Sequence, residues 1–392
     1  SCWNKTLSQL GFRRKLRKKG TQTHFGRRPL FENLEAREML SATQYTVSTL
    51  EDVAIAGDST DNRWSLREAL NHSGADTQAG IDTITFAPGL EGKIVLSGTQ
   101  LVLNKDVTIV GPGEDKLTVN GNLLSRVFQI NTGVVAKISD LTITRGKVLG
   151  VNSGGGILNS GNLTLEQVLV SGNSSDEFGG GLHSVAGSSL VIRDSEFSWN
   201  VAKYGGGASI LLSSASGNVL IENSTLAQNT ANITGLGNSG GILISGPNSL
   251  SLPVKIHNST ISSNTAAHYS GGIRAQSGAI VEIVNSTITK NNAPIEAGIS
   301  SWGNVLVQIP PSVIPTEQNS LVTLQNSIVA ENSNNTSIYN NLAGSFGANS
   351  SYNLLGSVGN TTFTQTALGN QVLTVGSFAG LAPLGDYGGP TR

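Results

Sequence analysis

Cysteine is almost missing from this chain. The single copy, Cys2, excludes an intrachain disulfide and any cysteine-based metal site. Charge is also scarce, at 13% of residues, about half the ordinary share. A fold of exposed helices, which normally carries much Glu, Lys and Arg, is therefore a poor fit. Long apolar runs are absent: nothing approaches the roughly 18 consecutive residues that a membrane-crossing helix needs. The net charge of −1 is unevenly spread. Residues 1–42 hold ten of the 25 Lys and Arg but three of the 26 acids, so the remainder is mildly acidic. That body is unsuited to nucleic acid. The basic head is read as a targeting leader. Its closing segment FENLEAREMLSA (Phe31–Ala42) is expected to form a short helix.

What the chain does have is glycine, 48 of 392 residues, with abundant Ser, Thr and Asn to keep it soluble. The glycines repeat. One that closes a glycine cluster and precedes an apolar or small residue falls at Gly156, Gly181, Gly207, Gly241, Gly272 and Gly298, at spacings of 25, 26, 34, 31 and 26. A second marker, a short Ser/Thr–apolar run closed by Asn, falls at Asn173, Asn229, Asn264, Asn291 and Asn332, with Asn200 as a divergent copy. Between the markers lie short runs such as NVLIENSTL and PVKIHNSTI. Their alternation puts Val219 and Ile221 on one side, Leu220 and Glu222 on the other.

A unit of about 25 residues cannot bury its own apolar face, so it must stack on copies of itself. The expected fold is all-β: a right-handed single-stranded parallel β-helix (solenoid) with a short N-terminal capping helix. The hand follows the preference of parallel crossovers. About ten coils fit between residues 94 and 360, a rod on the order of 50 Å. Gly sits where a corner needs positive φ or where two backbones come close. Asn suits turns and forms ladders when stacked. Leucine-rich-repeat spacing and propeller blade motifs are absent. The zones are a leader (1–42), a cap with the first coils (43–135), repeats (136–360) and a C-terminal segment (361–392).

WSLREALNHSGADTQAGIDTITF (Trp64–Phe86) resembles the CSLREA domain, with Trp64 where that family usually has Cys. The resemblance implies a module that leads into a right-handed β-helix. LEAREMLSA (Leu34–Ala42) is similar to a short motif that precedes many exported planctomycete proteins. GLAPLGDYGGPTR (Gly380–Arg392) looks like the opening of a choice-of-anchor type tail. Together these imply an exported or surface-displayed protein, with repeats of the kind found in adhesins, polymorphic outer-membrane proteins and polysaccharide-cleaving enzymes alike. They imply no defined reaction. On its own residues, SLREAL reads as a helix with Leu66, Ala69 and Leu70 on one face and Ser65 capping it with Glu68.

The motifs that carry chemistry elsewhere are absorbed by the repeat here. GLGNSGG (Gly235–Gly241) contains both G-x-G-x-x-G and G-x-S-x-G. It lies on a repeat corner with no following helix, and Ser239 aligns with Ser270. The NST triplets at Asn223, Asn258 and Asn285 are read as turn residues in register rather than glycosylation sites. Asp140, Asp194 and Glu222 are isolated, so no calcium cage is visible. Of His24, His72, His183, His257 and His268, only His183 has an offset partner, Arg274. The two share a face, about 15 Å apart over three coil steps, where they could flank a groove but not act on one bond. Trp199, Trp302, Tyr204 and Tyr269 are candidate sugar platforms, with corner packing as the plainer reading. No catalytic, cofactor or metal residue is assigned. The expected function is an adhesive or structural surface role, with polysaccharide or cell-surface partners. The alternative is a polysaccharide lyase or hydrolase, or a glycan-binding module, on the same fold.

Overall fold

The computed structural model describes residues 42–53, 63–77, 79–232, 237–247, 252–302, 320–334, 341–363, 367–374 and 377–385, all within the unit Leu40–Arg392. Residues 1–41 of the leader, including nearly all of the segment expected to be helical and His24, and the end of the anchor-like tail (386–392) lie outside the described residues.

The chain is a parallel β-helix. Its strands form three stacked sheets of nineteen, ten and five strands. One coil shows how the sequence turns. Ser189–Arg193 enters the nineteen-stranded sheet, Asp194 kinks the chain with φ at 48°, and Glu196–Ser198 continues. Trp199 (φ 57°) and Asn200 make the next corner into Val201–Ala202 of the five-stranded sheet. Gly205–Gly207 turn the chain into Ala208–Leu211 of the ten-stranded sheet. A loop then returns it to Val219–Glu222, one rung on, with Leu190 opposite Val219 and Ile192 opposite Ile221.

Alternation then fills the interior. Leu165, Ile192, Ile221, Ile256, Ile283 and Leu324 form one inward column, each fully buried. Each such side chain contributes roughly 1.5–3 kcal/mol by leaving water. One continuous core runs from Val47 to Phe363.

The corners divide the labour of glycine. At the last glycine of each cluster φ is ordinary, and space is the constraint. A Cβ on Gly156, Gly181, Gly207, Gly241 or Gly272 would sit 2.5–2.7 Å from the carbonyl oxygen of the equivalent glycine on the next rung. These glycines therefore line up along one edge. Two residues earlier, the backbone is left-handed at Gly154, Gly179 and Gly205, and also at Ser239, Ser270 and Glu296, where a side chain accepts the strain. Opposite stands a buried asparagine ladder. The side-chain amides of Asn173, Asn200, Asn229, Asn264, Asn291 and Asn332 each donate to the Oδ1 of the next ladder asparagine, ending on Asn341, at 2.9–3.0 Å. A serine ladder runs beneath the Asp194 kink, with the backbone N–H groups of Ser195, Ser224, Ser259 and Ser286 donating to the next hydroxyl at 3.1–3.2 Å.

Helix Leu66–Ala75 closes the N-terminal end. Ser65 and Glu68 form the reciprocal capping box, and Leu66, Ala69 and Leu70 are buried against the first coils. Arg67 holds the Asp52 carboxylate at 2.7 and 3.0 Å and also donates to the carbonyls of Thr99 and Gln100. Burial alone would raise the Asp52 pKa, but the bonds from Arg67 and Ser97 outweigh it and hold it below the usual value. Parallel pairing begins at Gln44–Val47, before residue 94, and continues to Gln371–Val372, inside the stretch read as the start of the tail.

Candidate functional site

The outward column of the ten-stranded sheet gathers several of the candidate residues. In register along it stand Gln129, Leu158, His183, Ser209, Leu243, Arg274 and Ser300. Beside it runs a second ladder, made by the residue just before each corner: Phe178, Tyr204, Asn238, Tyr269 and Ile295 bridge one another in sequence. The left-handed residue that follows each of these folds its predecessor back over the sheet, so the two columns form one ribbon along the rod.

The ribbon's contacts are specific. Phe178 stacks on His183 at 5.5 Å and lies 5.0 Å from Tyr204. Tyr269 carries the Arg274 guanidinium over its ring at 4.6 Å and meets His268 edge-on at 4.0 Å. Trp302 Nε1 donates to Glu296, whose other carboxylate oxygen lies 3.9 Å from Arg274 Nη1. Lys203 pairs with Glu177 at 3.3 Å and sits 5.0 Å from the Tyr204 ring centre. At the N-terminal end, Arg126 is bonded to the carbonyls of Ser153 and Gly154 and to the side chains of Gln100 and Gln129.

His183 and Arg274 do share a column, three steps or about 14 Å apart. They do not flank an open groove, however, because both are buried under the neighbouring rings. Burial, helped by the positive charge of Arg126, lowers the His183 pKa to about 4, with the Ser209 backbone acting the other way. The imidazole is therefore neutral at pH 7, far from the value a general acid–base needs. Burial likewise lowers the Arg274 pKa and raises that of Glu296, each opposed by the attraction of the other.

One feature of the ribbon is costly. Among the described residues, six buried side-chain polar atoms have no hydrogen-bond partner in the protein, and five of them belong here: His183 Nδ1, Ser209 Oγ, Asn238 Oδ1, Arg274 Nη1 and Glu296 Oε2. Each such group costs about 1–3 kcal/mol. The concentration of five of these six atoms on one ribbon sets this surface apart among the described residues.

The other candidates are placed elsewhere. Ser239 is fully buried, and its hydroxyl donates to the Ile242 carbonyl at the left-handed corner position it shares with Ser270. Asn223, Asn258 and Asn285 lie on the kink column with Asp194, linked at 3.1–3.3 Å. Asp140 occupies the same kind of kink. Glu222 pairs with Arg193, and His257 with Glu282, both at 3.1 Å, on the nineteen-stranded sheet. His72 packs edge-on against Trp64 in the cap. Trp199 is 60% exposed at its own corner, away from the ribbon. No group of three or more His, Cys, Asp or Glu side chains fit to hold a metal ion occurs among the described residues.

Phe178, Asn238, Arg126 and Glu296 complete the ribbon without having been singled out in the sequence. For Phe178 the signal was present: it precedes its glycine cluster as Tyr204 and Tyr269 do. Glu296 was hidden because it stands where earlier coils carry glycine or serine. No family model matches the chain, and comparison with curated proteins finds no match.

Proposed function

We propose that this is an exported, surface-associated β-helix repeat protein with an adhesive or structural role. The observation that carries this reading is the repetition of the outer surface. The titratable side chains of the ribbon occur one or two per rung and are engaged by partners on the same or the adjacent rung. The nineteen-stranded sheet repeats Asn223, Asn258 and Asn285 on successive rungs. Such a face offers the same contacts at rung spacing, which suits many weak attachments along an extended partner. The resemblance of Trp64–Phe86 to the CSLREA domain is supported by the helix Leu66–Ala75 acting as the cap of the rod. The leader and tail resemblances point to export and anchoring.

Two measurements test this. Protease shaving of intact cells, followed by detection of rod peptides, is expected to release them; recovery only after lysis would sink the surface assignment. Incubation with a polysaccharide panel is expected to leave chain length unchanged; release of unsaturated sugars or new reducing ends would favour a lyase or hydrolase instead. A glycan-binding module is the second reading, favoured by the aromatic ladder Phe178–Tyr204–Tyr269.

A further inference from the structure

We propose that the ribbon binds a neutral, linear polysaccharide laid along the rod axis. This rests on the adhesive reading above and gives it a partner and a surface.

The first argument is spacing. Phe178, Tyr204 and Tyr269 belong to one ladder of bridged rungs, with a period of about 4.8 Å. A pyranose in an extended β-linked chain advances by close to one rung. The three rings are only partly buried, and aromatic faces are the natural platform for the apolar C–H face of a sugar.

The second argument is independent of the rings. The atoms without a hydrogen-bond partner are of both kinds: the Ser209 hydroxyl donates or accepts, whereas Asn238 Oδ1 accepts. Sugar hydroxyls donate and accept at once, so one class of ligand group answers both. In the column beside the ladder, His183, whose Nδ1 is likewise without a partner, lies under the Phe178 ring, and Arg274 lies under the Tyr269 ring. A chain that bonds the uncovered atoms stabilises an arrangement with the rings turned aside by its differential affinity for it.

Charge selects the class of chain. Arg274 faces Glu296 and Lys203 faces Glu177, while the N–H groups of Arg126 bond neutral carbonyls and amides. Two of the three cations, Arg274 and Lys203, are thus neutralised by acids, and the N–H groups of Arg126 are taken up by the protein's own carbonyls and amides, which favours a neutral polysaccharide over a polyuronate.

Affinity electrophoresis of the full chain tests this, in gels containing hydroxyethylcellulose, glucomannan, xylan or polygalacturonate. Retardation is expected in at least one neutral gel. The double variant Tyr204→Ala/Tyr269→Ala is expected to bind about tenfold or more weakly with an unchanged β circular-dichroism spectrum. Tyr204→Phe/Tyr269→Phe, which keeps both ring faces, is expected to retain binding. Undiminished retardation of the alanine variant, or retardation by polygalacturonate alone, would overturn the proposal. A chain that adheres to cell surfaces but binds none of the four polysaccharides overturns it too, while leaving the adhesive reading standing. Confinement to the cytosol removes both.

Discussion

At the scale of single residues, the same amino acid has opposite weight on the two sides of the wall. Asn229 is fully buried; its amide donates to Phe197 and Asn264, and its Oδ1 accepts two bonds from Asn200. Asn229→Ala is expected to cost about 3 kcal/mol or more, because it strips partners from buried groups on both neighbouring rungs. Asn258, part of the outer kink column, bonds Asn223 and Asn285 through its side chain. Asn258→Ala is expected to cost about 1–2 kcal/mol, mainly because Ala is strained at φ 48° and not because bonds are lost. Urea denaturation of both variants checks the contrast. His183 gives a pH test. Its folded pKa, about 4, lies below the ordinary 6.5, so the unfolded chain takes up the proton first as pH falls. The stabilisation is complete above about pH 6.5 and is lost between there and about pH 4, up to roughly 3 kcal/mol. His183→Gln is expected to flatten that part of the stability–pH curve; an identical slope in the variant would contradict it.

At the scale of elements, the cap is the least repetitive part of the rod and depends on specific bonds. Arg67→Ala would leave the Asp52 side chain, 3% exposed, without its main partner. Its expected cost is about 3–5 kcal/mol. Ser65→Ala, which removes one half of the capping box, should cost about 1 kcal/mol. Thermal unfolding monitored at the nearby Trp64 reads both. An Arg67→Ala loss no larger than that of Ser65→Ala would mean that the cap is held by its apolar face alone. This helix was legible in sequence because capping is local: Ser65, Glu68 and the Leu66/Ala69/Leu70 face are set by spacing within six residues. The salt bridge to Asp52, fifteen residues away, carries no comparable local mark.

At the scale of the whole molecule, each rung contacts mainly its neighbours, so coils behave as modules. Deleting residues 173–199 removes one full period and joins Gly172 to Asn200, so that Gly172 takes the place of Trp199 before a ladder asparagine; both are left-handed. The shortened chain is expected to remain folded with a β-type circular-dichroism spectrum. Deleting 173–186 removes about half a period and throws inward residues onto the outer face, so it is expected to abolish cooperative unfolding. Equal behaviour of the two deletions would contradict rung-by-rung stacking.

The sequence by itself determined the coil. The glycine and asparagine markers, the alternation of Val219 with Leu220 and Ile221 with Glu222, and the scarcity of charge all follow from constraints that recur every rung, and a recurring constraint leaves a countable period. It also determined that Ser239 and the NST asparagines belong to corners and kinks. Only the tertiary structure decided the ribbon. Whether His183 and Arg274 line an open groove or lie under rings depends on how the left-handed residue at each corner folds Phe178 or Tyr269 back over the next strand. Whether Arg274 meets Glu296 depends on two residues of neighbouring rungs, twenty-two positions apart, coming side by side. Such contacts occur once, leave no period, and exist only after the chain has wound.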